Sequence, residues 1–224
     1  MDGKIKIGPW KQKLRWQVAQ SVEHRWWAYY LARKPVGDYL RNKKQYWHRI
    51  LEAFDLQLRP GLSILDAGCG PAGIFLIFPD QKVTAIDPLL SQYDKLDHFE
   101  RSDYDWVAFE ACALETWEPL IHYDWVFCLN AINHVADLNR SMSVLGNAVR
   151  PGGKLLVTVD VHRFSGLRNL FRWLPGDILH PHQHAAADYI HRIIREGFAI
   201  EQTKILRRGN IFAHFGILAQ KKEL

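Results

Sequence analysis

Apolar runs such as Val126 to Leu129 and Leu155 to Val159 are strand-length. They fall far short of the roughly 20 residues that a membrane-spanning helix needs. The first residues, Met1-Asp2-Gly3-Lys4-Ile5-Lys6, lack the apolar stretch and small-residue cleavage site of a secretory leader. Cysteine is scarce: Cys69, Cys112 and Cys128 are the only three, an odd number without metal-type spacing. That pattern argues against a disulfide framework and suits a reducing, cytoplasmic setting. Internal repeats and low-complexity tracts are also missing. What is left is a globular chain of 224 residues, 48% hydrophobic, enough for one core in one structural unit.

The net charge of +5 is concentrated, with residues 1–50 holding twelve Lys/Arg against three Asp/Glu. Five of the nine tryptophans (Trp10, Trp16, Trp26, Trp27 and Trp47) lie there too. Basic charge mixed with aromatics can mark a nucleic-acid or anionic-membrane surface. It also describes amphipathic helices whose aromatic face is covered while Lys and Arg stay in water. The spacing favours helices: Leu14, Val18, Val22, Trp26 and Tyr30 recur every four residues. Tyr39, Tyr46, Trp47, Ile50, Leu51 and Phe54 make a second stripe. Helices are expected over 12–32 and 37–55, broken near Pro35 and Gly37, so that 1–58 forms an N-terminal helical cap on a domain over 59–224.

The densest information lies between Ser63 and Pro88. A short apolar strand ends in Asp66 and turns through Ala67-Gly68-Cys69-Gly70-Pro71-Ala72-Gly73 into an expected helix-like segment, Ile74 to Phe78. A second strand, Lys82 to Ile86, stops at Asp87. Glycines let a backbone approach a ligand, and an acidic residue about 20 positions beyond them suits ribose hydroxyls. A dinucleotide loop would hold a pyrophosphate, which Asp66, just before the first glycine, would repel. A ligand carrying an ammonium and a sulfonium fits better.

This arrangement resembles motif I of the class I S-adenosylmethionine-dependent methyltransferases, of the small-molecule type. Tyr123 to Val135 is similar to the family's fourth strand and the loop that follows it, and Val149 to Val157 to its turn into the fifth strand. The resemblance covers about residues 60–160 closely and 185–220 loosely. It implies a Rossmann-like α/β fold: a seven-stranded, mostly parallel sheet with a terminal antiparallel hairpin, here over 198–206 and 211–220. It also implies S-adenosyl-L-methionine as cofactor, held by Asp66, Gly68, Cys69, Gly70, Asp87, Pro88, Cys112, Ala113, Leu114, Asn130 and Ala131. Two departures stand out. Ala72 occupies a place where the family often has glycine, with Gly73 one position late. Cys112 stands where an acidic residue usually meets the adenine, leaving that ring to backbone groups near Ala113.

For chemistry, His134 follows the fourth strand at the sheet's carboxyl edge and is either a general base for a hydroxyl acceptor or a packing residue beside the cofactor. His180, His182 and His184 lie in a long connection, 161–184, expected to line the acceptor pocket with His182 taking part in turnover. A bound metal is not expected, because only Asp177 and Asp188 are nearby as further ligands. Ala131 and Ile132 replace the two prolines of the Asn-Pro-Pro-aromatic signature of enzymes that methylate amino groups of nucleic acids or proteins, which lowers the case for base or amide nitrogens as acceptors. The expected acceptor is a small molecule, a saccharide or a lipid-like hydroxyl. RNA or protein methylation and a non-catalytic cofactor scaffold are the rival readings.

Overall fold

A computed structural model describes residues 29–31, 33–162, 185–209 and 212–223. Most of the expected helix over 12–32, and His180, His182 and His184, lie outside the described residues. Seven strands form one sheet: β1 (Ser63–Ala67), β2 (Lys82–Ile86), β3 (Val107–Glu110), β4 (Tyr123–Leu129), β5 (Val149–His162), β6 (Phe198–Arg208) and β7 (Phe212–Lys221). Their order is β3-β2-β1-β4-β5-β7-β6. The first five run parallel, and β7 pairs antiparallel with both β5 and β6. The expected sheet and its closing hairpin are both present.

Alternation along the strands supplies two cores. Leu155, Val157 and Val159 face one side with Val126 and Cys128, covered by α3 (Leu138–Ala148) and α4 (Ala186–Arg195). Leu156, Phe127 and Leu218 face the other, covered by α1 (Val36–Ala53) and an aromatic cluster that includes Phe75, Phe99 and Tyr104. A short α2 (Leu90–Tyr93) follows β2. Burying successive residues on opposite faces is what a central strand with a period of two requires.

Between β1 and β2 the expected helix-like segment, Ile74 to Phe78, is a 3₁₀ turn. Two single 3₁₀ turns, Gly70–Ala72 and Ile74–Ile77, fill the connection. Gly73 interrupts the first turn in an extended conformation, and Pro79 follows the second at once. Ile74, Phe75 and Leu76 are buried nonetheless, and α1 packs directly on this segment. Strand β5 starts at Val149, which pairs with Tyr123, and the register then shifts so that Lys154 pairs with Trp125. The Arg150-Pro151-Gly152-Gly153 turn is therefore a bulge inside the strand.

Three contacts fix α1. The Trp47 indole Nε1 donates to the Ala72 carbonyl at 3.0 Å. Phe54, fully buried, sits over Gly216 of β7, where an added Cβ would lie 2.6 Å from the ring. The Gln202 side-chain amide donates to the Phe54 carbonyl at 3.4 Å. Because Phe54 has no room to retreat, Gly216→Ala is expected to cost about 1–3 kcal/mol of folding stability. Urea denaturation showing no loss would mean that α1 sits loosely on the sheet.

Candidate functional site

The carboxyl ends of β1, β2, β3 and β4 open into a cavity of about 690 Å³. Open parallel sheets bind ligands at such an edge, where strand order reverses on either side of β1. Gly68, Cys69, Gly70, Asp87, Pro88, Cys112, Ala113, Leu114, Asn130, Ala131 and His134 all line it. Residues far apart in sequence are thus brought together as expected, with Asp66 as the exception.

Asp66 lies behind the glycine loop, buried, and does not line the cavity. Its Oδ2 accepts a hydrogen bond from the Phe75 amide at 3.1 Å. A Cβ at position 73 would stand 2.2 Å from that oxygen, which explains a glycine one place later than the family's habit. Asp66 therefore shapes the loop from beneath. Gly68 has φ +76°, and a Cβ there would meet the Ala131 Cβ at 2.3 Å. Gly70, at φ +58°, has open space where a Cβ would be. Such a backbone leaves room for a ligand to approach.

Asp87, like Glu115 and unlike Asp66, lines the cavity. Its Oδ2 accepts from the Gly70 amide at 3.0 Å and its Oδ1 from the Leu89 amide at 2.8 Å. Two amides leave further lone pairs on a carboxylate for hydroxyl donors. Burial pushes Asp87 up to about 6, against the pull of those two amides. Burial likewise pushes Asp66 up to about 7, with the Phe75 amide opposing and the Asp87 charge adding to the rise.

At the far end, β3 stops at Glu110, whose carboxylate accepts from the Trp117 indole at 2.8 Å. Cys112 lines the cavity instead, and burial pushes its thiol up to about 11, so it presents a neutral group. Beyond β4, Asn130 adopts φ +56° and its amide is held by Thr158 of β5, through the carbonyl at 2.9 Å and Oγ1 at 3.0 Å. Asn tolerates this left-handed turn better than most residues. His134 is half-buried, its Nε2 lying 3.4 Å from the Asn133 amide nitrogen.

One wall was missed from sequence. Tyr39, Asn42, Lys43, Tyr46 and Trp47 of α1 line the cavity together with Tyr30, Lys34 and Arg207. Positions 39, 42, 43, 46 and 47 form one helical face. Asn42 and Lys43, polar residues within an aromatic stripe, were the available signal that this face meets more than core. Burial, with the Lys34 charge adding, lowers Lys43 to about 8, while the Asp66 charge opposes. The buried Tyr39 hydroxyl has no hydrogen-bond partner among the described residues.

Comparison with known proteins agrees with this geometry. A family profile described as a methyltransferase domain matches residues 39–200. The ubiquinone biosynthesis O-methyltransferase of Pseudomonas fluorescens is 31% identical over 144 residues, covering 61% of this chain and 58% of that protein. The tRNA U34 carboxymethyltransferase of Campylobacter curvus is 26% identical over 158 residues, covering 64% and 51%. The chain thus spans between about two-fifths and three-fifths of the length of the curated relatives it matches. Among solved structures, the 1,6-didemethyltoxoflavin-N1-methyltransferase of Burkholderia thailandensis, bound to its acceptor and S-adenosylhomocysteine, superposes with a TM-score of 0.67 at 14% identity, covering 100% and 94%. The magnesium protoporphyrin IX methyltransferase of Synechocystis gives 0.57 at 18% identity, covering 82% and 83%.

The two raised carboxyl groups make a pH prediction. An aspartate that ionises less readily when folded makes the folded state hold the extra proton. Its contribution to stability is full below the unfolded value near pH 4 and is lost as pH rises through about 6 for Asp87 and about 7 for Asp66. Thermal denaturation of cofactor-free protein is expected to show Asp66→Asn gaining stability relative to wild type as pH rises across that window. A difference independent of pH would overturn the assignment.

Proposed function

The chain belongs to the methyltransferase-domain family, with the fold of the class I S-adenosylmethionine-dependent methyltransferases, and from that premise we propose that it methylates a hydroxyl of a small molecule. The carrying observation is the joint placement of a nucleoside cradle and an aromatic wall around one cavity.

The cofactor is S-adenosyl-L-methionine. Asp87 fits the ribose hydroxyls through the lone pairs left by its two backbone donors. The open side of Gly70, with Gly68, receives the methionine portion. Lys43, on the wall above and under the influence of Asp66, is the cation suited to its carboxylate. Cys112, Ala113 and Leu114 take the adenine by backbone groups and apolar packing. When bound, the cofactor supplies an electrophilic methyl group on a sulfonium, itself a good leaving group. The protein's task is then to position the acceptor, exclude water and receive a proton.

The acceptor side is the aromatic wall of Tyr30, Tyr39, Tyr46 and Trp47 with His134 at the β4 edge. Aromatic faces suit an apolar or planar body and leave a few polar atoms to orient it. The likeness to an O-methyltransferase supports oxygen as the nucleophile, and Ala131 and Ile132 in place of the two prolines speak against base or amide nitrogens of nucleic acids or proteins. Residues 1–58, through α1, serve as the cap of this site. His182 is assigned to the acceptor side with His134.

Two measurements check this reading. Asp87→Ala removes the ribose partner and is expected to weaken S-adenosylhomocysteine binding by about 2–4 kcal/mol in calorimetry. Unchanged affinity would remove the cofactor assignment. His134→Ala and His182→Ala are expected to lower turnover while affinity for the same product analogue is kept. Loss of that affinity would place them on the cofactor side instead.

A further inference from the structure

Behind the aromatic wall lies a polar chain that the cofactor cradle does not use. Asp160 of β5 and His214 of β7 are directly opposed in the antiparallel ladder, so their side chains share a face. His214 Nδ1 lies 2.9 Å from Asp160 Oδ1, and His214 Nε2 lies 3.2 Å from the Tyr46 hydroxyl. A carboxylate only accepts hydrogen bonds, so the proton on this imidazole belongs on Nδ1. Nε2 is then an acceptor, and the Tyr46 hydroxyl donates to it. His214 is buried and Asp160 half-buried, whereas Tyr46 is on the cavity wall.

Sheet order decides which end of the cavity this chain serves. Asp87 and Cys112 follow β2 and β3, on one side of β1; Asp160 and His214 lie in β5 and β7, on the other. The three groups therefore stand on the acceptor side, away from the nucleoside. A base oriented by a carboxylate and hydrogen-bonded to a reactive hydroxyl is the arrangement that general-base catalysis uses.

We propose that Tyr46, His214 and Asp160 form a proton relay for the acceptor, with Tyr46 as the catalytic residue and His214 and Asp160 positioning it and storing the charge. This rests on the hydroxyl-methylation reading above. The acceptor oxygen bonds to the methyl carbon as the carbon–sulfur bond breaks with its electron pair on sulfur. The acceptor proton passes to Tyr46 Oη while the proton of Tyr46 passes to His214 Nε2. The imidazolium so formed is balanced by the Asp160 carboxylate and returns its proton to water after product leaves. Burial raises the Tyr46 phenol, so it stays protonated and transmits a proton without resting as phenolate. Among the described residues, the charged groups that face the relay are Asp160 from β5, Arg207 from β6, the latter opposite His214 in the ladder and on the cavity wall, and Lys43 from α1, whose Nζ lies 5.8 Å from the centre of the Tyr46 ring.

The test compares wild type, Tyr46→Phe, His214→Asn and Asp160→Asn. Methyl transfer from S-adenosylmethionine to catechol, and in parallel to benzylamine, is followed across pH, with S-adenosylhomocysteine affinity from calorimetry and histidine tautomers from ¹⁵N NMR. Tyr46→Phe and His214→Asn are expected to lose about 10²–10³-fold in kcat with affinity for the analogue unchanged. His214→Asn should also lose the acidic limb of the pH–rate profile. Tyr46→Phe removes one oxygen and keeps the ring, so it carries the kinetic test if His214→Asn fails to fold. Variants that keep both rate and pH profile overturn the relay and leave the hydroxyl reading intact. Wild type that methylates benzylamine and not catechol overturns the hydroxyl reading, and the same variants then judge the relay on the amine. If neither probe is methylated, the tautomer decides: Nδ1–H on His214 supports the relay and Nε2–H overturns it.

Discussion

The site depends on keeping two carboxylates out of water. Burying a charge costs several kcal/mol unless hydrogen bonds compensate. Here the compensation comes from backbone amides: Phe75 for Asp66, and Gly70 and Leu89 for Asp87. The Gly70 bond ties the loop after β1 to Asp87 at the end of β2, while the Phe75 and Leu89 bonds close each connection on its own carboxylate. Gly73 has no side chain because Asp66 occupies its space, and Gly68 has none because Ala131 does. Two short 3₁₀ turns separated by Gly73 fill the connection, and α1 covers its apolar residues from outside. That cover makes α1 part of the core as well as of the cavity.

Much of this was legible in the sequence. The β1 loop, the carboxylate after β2 and the turn into β5 are local patterns with fixed spacing, and the structure brings ten of the eleven expected cofactor residues to one cavity. Asp66 was placed in the cavity because spacing shows which strand end a carboxylate occupies but not which way it points. Its partner, the Phe75 amide, appears only once the chain turns back over itself.

What stayed hidden has a common cause. A stripe of Tyr39, Tyr46 and Trp47 shows that a helix face is covered, but a ligand and a core cover it equally well by that measure. Asn42 and Lys43 on the same face carried the distinction. The Tyr46–His214 bond joins residues 168 positions apart, and Asp160 to His214 spans 54. No local period encodes such pairs. They arise from sheet order, which places β7 between β5 and β6 and so lays the end of the chain against its middle.

The double duty of α1 couples folding to ligand exchange. Trp47 is buried in the core and lines the cavity, and Phe54 at the end of the same helix is locked over Gly216. Swinging α1 outward to admit a ligand would pull both aromatic rings from their packing, at the few kcal/mol that exposing each large side chain costs. A rigid-body lid is therefore an expensive gate. Among the described lining residues, Arg207 and Lys34 are exposed, and turning such side chains disturbs far less packing than moving the helix does.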